Sequence, residues 1–142
     1  MRAFPLAMLA AAVLLAGCGG HKAASPERVA RAWSDAINAG DDEKAADLFA
    51  PGAVIVQGTQ ITLSTHADAL QWNAGLPCAG HVVSVDVEGE QATVVFVLGR
   101  RPGHLCDGPG QRAAAVFGVH DGKIVLWHQI PVPGSGAGAP PA

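Results

Sequence analysis

The sequence predicts one α+β domain, with helices first and a run of antiparallel strands after them. Residues 25–49 hold two helical patterns, each opened by a capping residue. Residues 81–130 hold β-rich runs at 81–88, 92–100, 112–120 and 123–130. Glu88-Gly89-Glu90 and Asp121-Gly122 supply hairpin turns between them. In this order of elements the helices pack on the concave face of a curved sheet. A cone-shaped pocket can then remain between the sheet and the first helix.

The chain opens MRAFPLAMLAAAVLLAGCGG, with Arg2 ahead of an apolar run from Ala3 to Gly17. A bilayer core of roughly 30 Å takes about 20 residues to cross, so the run has the build of a secretory h-region. Its end, Leu15-Ala16-Gly17-Cys18, resembles a bacterial lipoprotein lipobox. That resemblance implies cleavage before Cys18 and acylation of its thiol and new amine. The chain would then sit outside the cytoplasm, with its lipid in a bacterial membrane. An unlipidated secreted chain or a buried Cys18 is the alternative. The position of the cysteine directly after the h-region favours the lipoprotein. The expected organisation is a signal peptide at 1–17, a lipidated tether at 18–24, a folded domain at 25–131 and a disordered Pro/Gly/Ala tail at 132–142.

Two cysteines remain, Cys78 and Cys106. Disulfides persist outside the cytoplasm and only one pairing is open, so a Cys78–Cys106 bond is expected. Metal ligation is the rival, yet neither cysteine has a CxxC or CxxH partner. The six histidines form no HxH or HExxH motif, so no metal and no cofactor is expected. With 9 basic against 12 acidic residues, a net charge of −3 and no basic block, nucleic-acid binding is not expected.

Ser25-Pro26-Glu27 starts the first helix with a cap, a proline at N1 and an early acid. Val29, Trp33, Ala36 and Ile37 form its apolar face, and Gly40 ends it. Asp41 caps a second helix whose buried side is Ala45, Leu48 and Phe49, broken by Pro51-Gly52. Strands are expected at Ala53–Gln57 and Ile61–Leu63. Thr65 and Asp68 make a near capping box for a third helix carrying Trp72. In the next strand Val83, Val85 and Val87 alternate with Ser84, Asp86 and Glu88. Arg100 and Arg101, with His104, either form a rim for an anion or sit at a solvated strand end, the second being preferred. In the last strand Trp127 and Gln129 share one face, with Leu126 and His128 on the other; which face is concave stays open.

The segments AWSDAINAGDDEKAADLFAPGAVIV and VFGVHDGKIVLWHQ are similar to the nuclear transport factor 2-like superfamily, and within it to the SnoaL-like proteins. The resemblance covers about residues 25–130 and implies the cystatin-like cone. Some members are isomerases, cyclases, dehydratases or hydrolases, and many are binding modules. Ketosteroid isomerases use an Asp base with an oxyanion hole of Tyr and a protonated Asp, a pattern long described for that class. Counted from the shared motifs, those positions fall on Gln57, Trp33 and Ala115. A cyclase-type acid would fall on Gln129. None of the four can act as a general base.

The resemblance therefore implies a binding or protein-interaction module more than an enzyme. Its pocket would be walled by Trp33, Gln57, Trp72, Phe96, Phe117, Trp127 and Gln129 and would take a small apolar ligand. Core packing is the competing role for Trp33 and Trp72, and for Trp33 the preferred one. A homodimer through the outer sheet face is a further expectation, with Ala113-Ala114-Ala115 and Gly118 allowing close approach. Two alternatives stay open. One is an enzyme with a shifted polar set such as His81, His128 and Asp35. The other is a structural envelope protein with a filled cone.

Overall fold

The structure, a computed structural model, describes residue 20 and residues 22–135. The expected signal peptide, Cys18 and most of the expected tail lie outside the described residues. The elements are α1 (Pro26–Asn38), α2 (Asp42–Ala46), β1 (Phe49–Gln57), β2 (Thr59–Leu63), α3 (His66–Ala74), β3 (Ala79–Glu88), β4 (Gln91–Gly99), β5 (Arg112–His120) and β6 (Lys123–Ile130). The six strands form one sheet in the order β2-β1-β6-β5-β4-β3, curved and open, with the helices on its concave face. The α+β architecture is the expected one.

The helices begin where their capping chemistry places them. Ser25 accepts from the Arg28 N–H, and Asp41 accepts from the Lys44 N–H at 3.0 Å. Thr65 and Asp68 complete a reciprocal capping box, with bonds of 2.9 and 3.1 Å. At its other end α1 is clamped to β3 by Asn38. Its Oδ1 accepts from the Gly80 N–H at 2.9 Å, and its Nδ2 donates to the Gly80 carbonyl at 3.1 Å. An asparagine amide here satisfies one residue's backbone as a neighbouring strand would.

Three local expectations are corrected. The second helix is only a turn and a half, because the chain joins the sheet early. Leu48 already accepts from the Ile124 N–H at 2.8 Å, and Phe49 pairs with Ile124. Phe49 is therefore buried on β1 and not on a helix. Pro51-Gly52 does not end an element. It sits in an irregularity of β1 between Phe49 and Val54, where Gly52 takes φ +83° and no ladder bond is needed from the proline. In β3 a bulge between Val82 and Ser84 puts Val83 out of phase, so Val82 and Val85 face the core and Val83 is 48% exposed.

The sheet is not antiparallel throughout, since β1 and β6 run parallel. Hairpins force each of β4, β5 and β6 to reverse its predecessor. No hairpin links β1 to β6, so their relative direction follows from where the loop after α3 feeds β3.

Ala113 and Ala115 face the concave side, and a Cβ on Gly118 would come within 3.0 Å of the Leu126 Cβ.

Arg101 is neither part of an anion rim nor solvated. Its side chain is fully buried, donating from Nη1 to the carbonyls of Asn73 at 2.8 Å and Leu76 at 2.6 Å. Its Nη2 pairs with the Asp42 carboxylate, which remains 26% exposed. Asn73, itself buried, donates from Nδ2 to the Ala69 carbonyl and accepts from Trp33 Nε1, both at 2.8 Å. A single polar path thus joins α2, the β4–β5 loop, α3 and α1.

Removing one partner of a buried ion pair costs about 3 kcal/mol or more, because the other is left uncompensated. Arg101→Met is expected to destabilise the fold by about 3 kcal/mol in urea unfolding, against less than about 1 kcal/mol for Arg100→Met at the exposed neighbour.

At the far end of β5 the His120 ring bonds to Glu90 at 3.1 Å. That hydrogen bond, then the charges of Asp121 and Glu90, raise its pKa above 6.5. A raised folded-state pKa adds stability below the unfolded value and loses it as pH climbs through the folded value. His120→Gln should therefore be less stable than the parent at about pH 5 and equal to it at about pH 9, the gap closing in high salt.

Candidate functional site

A cavity of about 290 Å³ opens at one end of the sheet. There β1, β4 and β6 finish and β3 and β5 begin. Trp33 and Ile37 of α1 form one wall. Phe96 and Leu98 of β4, Ala113–Ala115 of β5 and Trp127 of β6 form the sheet side. Gln57 and Gln129 stand at the rim, and Leu76–Gly80 and Asp107 close the remaining side. The parallel register Ile55–Trp127 and Val56–His128 carries on to set Gln57 beside Gln129. That choice settles the concave face of β6 as the Trp127 and Gln129 face.

The wall is rigid because its aromatics brace one another. Trp33 lies 5.4 Å from Phe117, 6.0 Å from Trp127 and 6.2 Å from Phe96, ring centre to ring centre. Such edge-on and tilted pairs each contribute about 0.5–1.5 kcal/mol beyond area burial. Trp33 is at once core and wall, being 6% exposed and hydrogen-bonded to Asn73 on its indole edge. The Trp127 indole N–H is buried with no acceptor among the described residues. Gly80 is small for a reason: an added Cβ would stand 3.1 Å from the Phe96 ring.

Of the expected wall residues, Trp33, Gln57, Phe96, Trp127 and Gln129 line this cavity. Phe117 does not, for it is wholly buried behind Trp33 and Trp127. Trp72 does not either. It packs on Trp33 and Trp127 from α3 and borders a shallow depression with Ile61–Leu63, Asp68 and Gln71. The four positions singled out by the enzyme comparison, Trp33, Gln57, Ala115 and Gln129, all border the same space. No histidine lines it. His81 is exposed beside Gly99, His128 lies on the opposite face of β6, and Asp35 is exposed on α1.

Asp107 and the segment Leu76–Gly80 are lining residues that sequence reasoning missed. The signal was present in the cysteines. Cys78 and Cys106 form a disulfide, Cα to Cα 4.6 Å, which draws the β4–β5 loop onto the start of β3. Asp107 follows Cys106 and so arrives at the cavity mouth, its Oδ1 3.7 Å from Cys78 Sγ. A bonded sulfur has neither a proton to donate nor a thiolate to offer a metal. The grouping of Cys78, Cys106 and Asp107 is therefore a staple with an acid beside it, not a metal site.

Closing a loop of this length is worth about 3.5 kcal/mol in the chain-entropy description. The double variant Cys78→Ala/Cys106→Ala should lose about that much in denaturant unfolding, and reductant should lower the parent to the same value while leaving the variant unchanged.

A SnoaL-like domain model matches residues 30–127. Solved structures with the same fold include a protein from Sinorhizobium meliloti, provisionally named a polyketide cyclase. It is 20% identical, with a TM-score of 0.61 over 72% of this chain and 93% of its own. A Cytophaga hutchinsonii protein described as NTF2-like and of unknown function is 11% identical, with a TM-score of 0.63 over 78% of this chain and 92% of its own. A protein provisionally named a ketosteroid isomerase, from Kribbella flavida, is 24% identical, with a TM-score of 0.57 over 80% and 88%. No curated protein matches the chain. At these identities the solved structures speak to the fold alone, while the domain match covers most of the chain: it belongs to the SnoaL-like family.

Proposed function

We propose that this SnoaL-like domain is a non-catalytic binding module for a small apolar ligand, held outside the cytoplasm by lipid on Cys18. The observation that carries the reading is the chemistry of the cavity. Every position where the enzyme comparison would put a base, an acid or an oxyanion donor lines it, and those positions hold Trp33, Gln57, Ala115 and Gln129. A carboxamide hydrogen-bonds but does not titrate, an indole only donates, and a methyl does neither. The enzyme alternative needs a histidine paired with a carboxylate at the cavity, and His81, His128 and Asp35 all stand elsewhere. A filled cone, as the structural-protein alternative requires, does not fit a space of about 290 Å³.

That volume suits a ligand on the order of ten to fifteen non-hydrogen atoms, at the low end for ligand sites. The tether geometry fits the anchored reading. Ala24 lies against the β5–β6 turn, its backbone nitrogen 3.4 Å from where a Gly122 Cβ would stand. The mouth is at the other end of β5 from Ala24. Among the described residues no helix is long and apolar enough to cross a membrane.

Native mass spectrometry of the purified chain is expected to show a retained small molecule. Ala113→Trp, which fills the mouth, should lose it while keeping the parent circular dichroism. A bare parent whose tryptophan emission ignores added apolar compounds would count decisively against a binding role. Cys18→Ser should move the protein from the detergent phase to the aqueous phase on partitioning.

A further inference from the structure

We propose that the ligand of this cavity is a cationic amine, an apolar body carrying an ammonium group that meets Asp107 at the mouth. The inference rests on the binding reading above and adds the charge of what is bound.

The cavity is apolar in its depth and carries one sign of charge at its edge. Among the lining residues Asp107 is the one ionised side chain, and none is cationic. Its carboxylate is unspent, since among the described residues it meets no N–H or O–H donor and forms no ion pair. Arg101, the guanidinium in the same loop as Asp107, is buried and committed to Asp42, Asn73 and Leu76. An anionic ligand would thus lose water, face Asp107 and find no counter-charge. An ammonium gains on both counts: the carboxylate attracts it, and the faces of tryptophan and phenylalanine carry negative potential that favours a cation over a neutral group of equal size. The rings available are Trp33, Phe96 and Trp127. Gln57 and Gln129, on the far side of the mouth, add neutral hydrogen-bonding capacity and no opposing charge.

Asp107 is also held in place at the edge of the cavity. The Cys78–Cys106 bond pins its loop to β3, so the charge does not drift with the loop. Because the residue is exposed, its attraction should be moderate and sensitive to salt.

The test compares three rigid compounds of one shape and different charge: 1-adamantanamine, 1-adamantanol and 1-adamantanecarboxylate. Tryptophan emission of the purified full-length protein reports binding directly, since the chain has no tyrosine. The ammonium compound is expected to bind at least about threefold more tightly than the alcohol, and the carboxylate more weakly than both. Asp107→Asn should bring the amine to within about twofold of the alcohol and leave the alcohol unchanged, and high salt should act on the parent in the same direction. Equal binding of all three compounds, or a uniform loss in Asp107→Asn, would remove the amine proposal and leave the pocket standing. Binding of none would overturn the pocket reading and this proposal together.

Discussion

The fold turns on one buried guanidinium. Arg101 lies in a loop rich in chain breakers, yet it is drawn fully inside, where isolated charge costs several kcal/mol. That cost is met only because its partners converge from separate elements: a carboxylate from α2, one carbonyl from the last turn of α3 and another from the loop just after it. Once those carbonyls are engaged, Asn73 is held in place, and its side chain can both close α3 on Ala69 and accept from Trp33. The same contact fixes how α1 lies over the sheet at the indole. A charge that is expensive to bury therefore specifies the relative placement of three helices and a loop, which an apolar side chain of similar volume would not do.

The cavity is a consequence of that placement. Trp33 is pulled toward α3 by its hydrogen bond and braced by Phe117 and Trp127, so it cannot collapse into the space in front of Phe96. Opposite it, β5 offers alanines where larger residues would fill the cone. The disulfide performs the matching task at the mouth, holding the long loop against β3 and fixing Asp107 there. The result is a stiff apolar recess with two amides and one carboxylate at its edge. The SnoaL-like scaffold accommodates acid–base chemistry or plain binding according to a handful of side chains in this recess. In this chain those side chains are amides, rings and methyl groups, with the Asp107 carboxylate at the edge.

Where the chain departs from its local patterns, the departures are instructive. Pro51-Gly52 has the composition of a break, yet the strand passes through it because a parallel neighbour, β6, supplies pairing on both sides of the irregularity. Val83 alternates correctly with its neighbours on paper, but one bulged residue exchanges its face for that of Val82. Each case depends on the partner strand, and a strand's partner is not written in its own residues.

By itself the sequence determined the class of the fold, the helix starts at Ser25, Asp41 and Thr65, the bounds of β5 and β6, and the pairing of Cys78 with Cys106. These are matters of local hydrogen-bond chemistry, periodicity and parity, all of which act over a few residues or by counting. That Trp33, Gln57, Phe96, Trp127 and Gln129 border one recess was implied by the family resemblance, and the structure sets them there. Tertiary structure alone decided that β1 and β6 run parallel, that Phe117 and Trp72 stand behind the wall and not in it, that Arg101 is buried, and that Asp107 borders the cavity. The physical reason is common to all four. Each depends on which distant groups meet, and a charged residue in a loop reads as solvated until the fold brings it a carboxylate, two carbonyls and a reason to leave water.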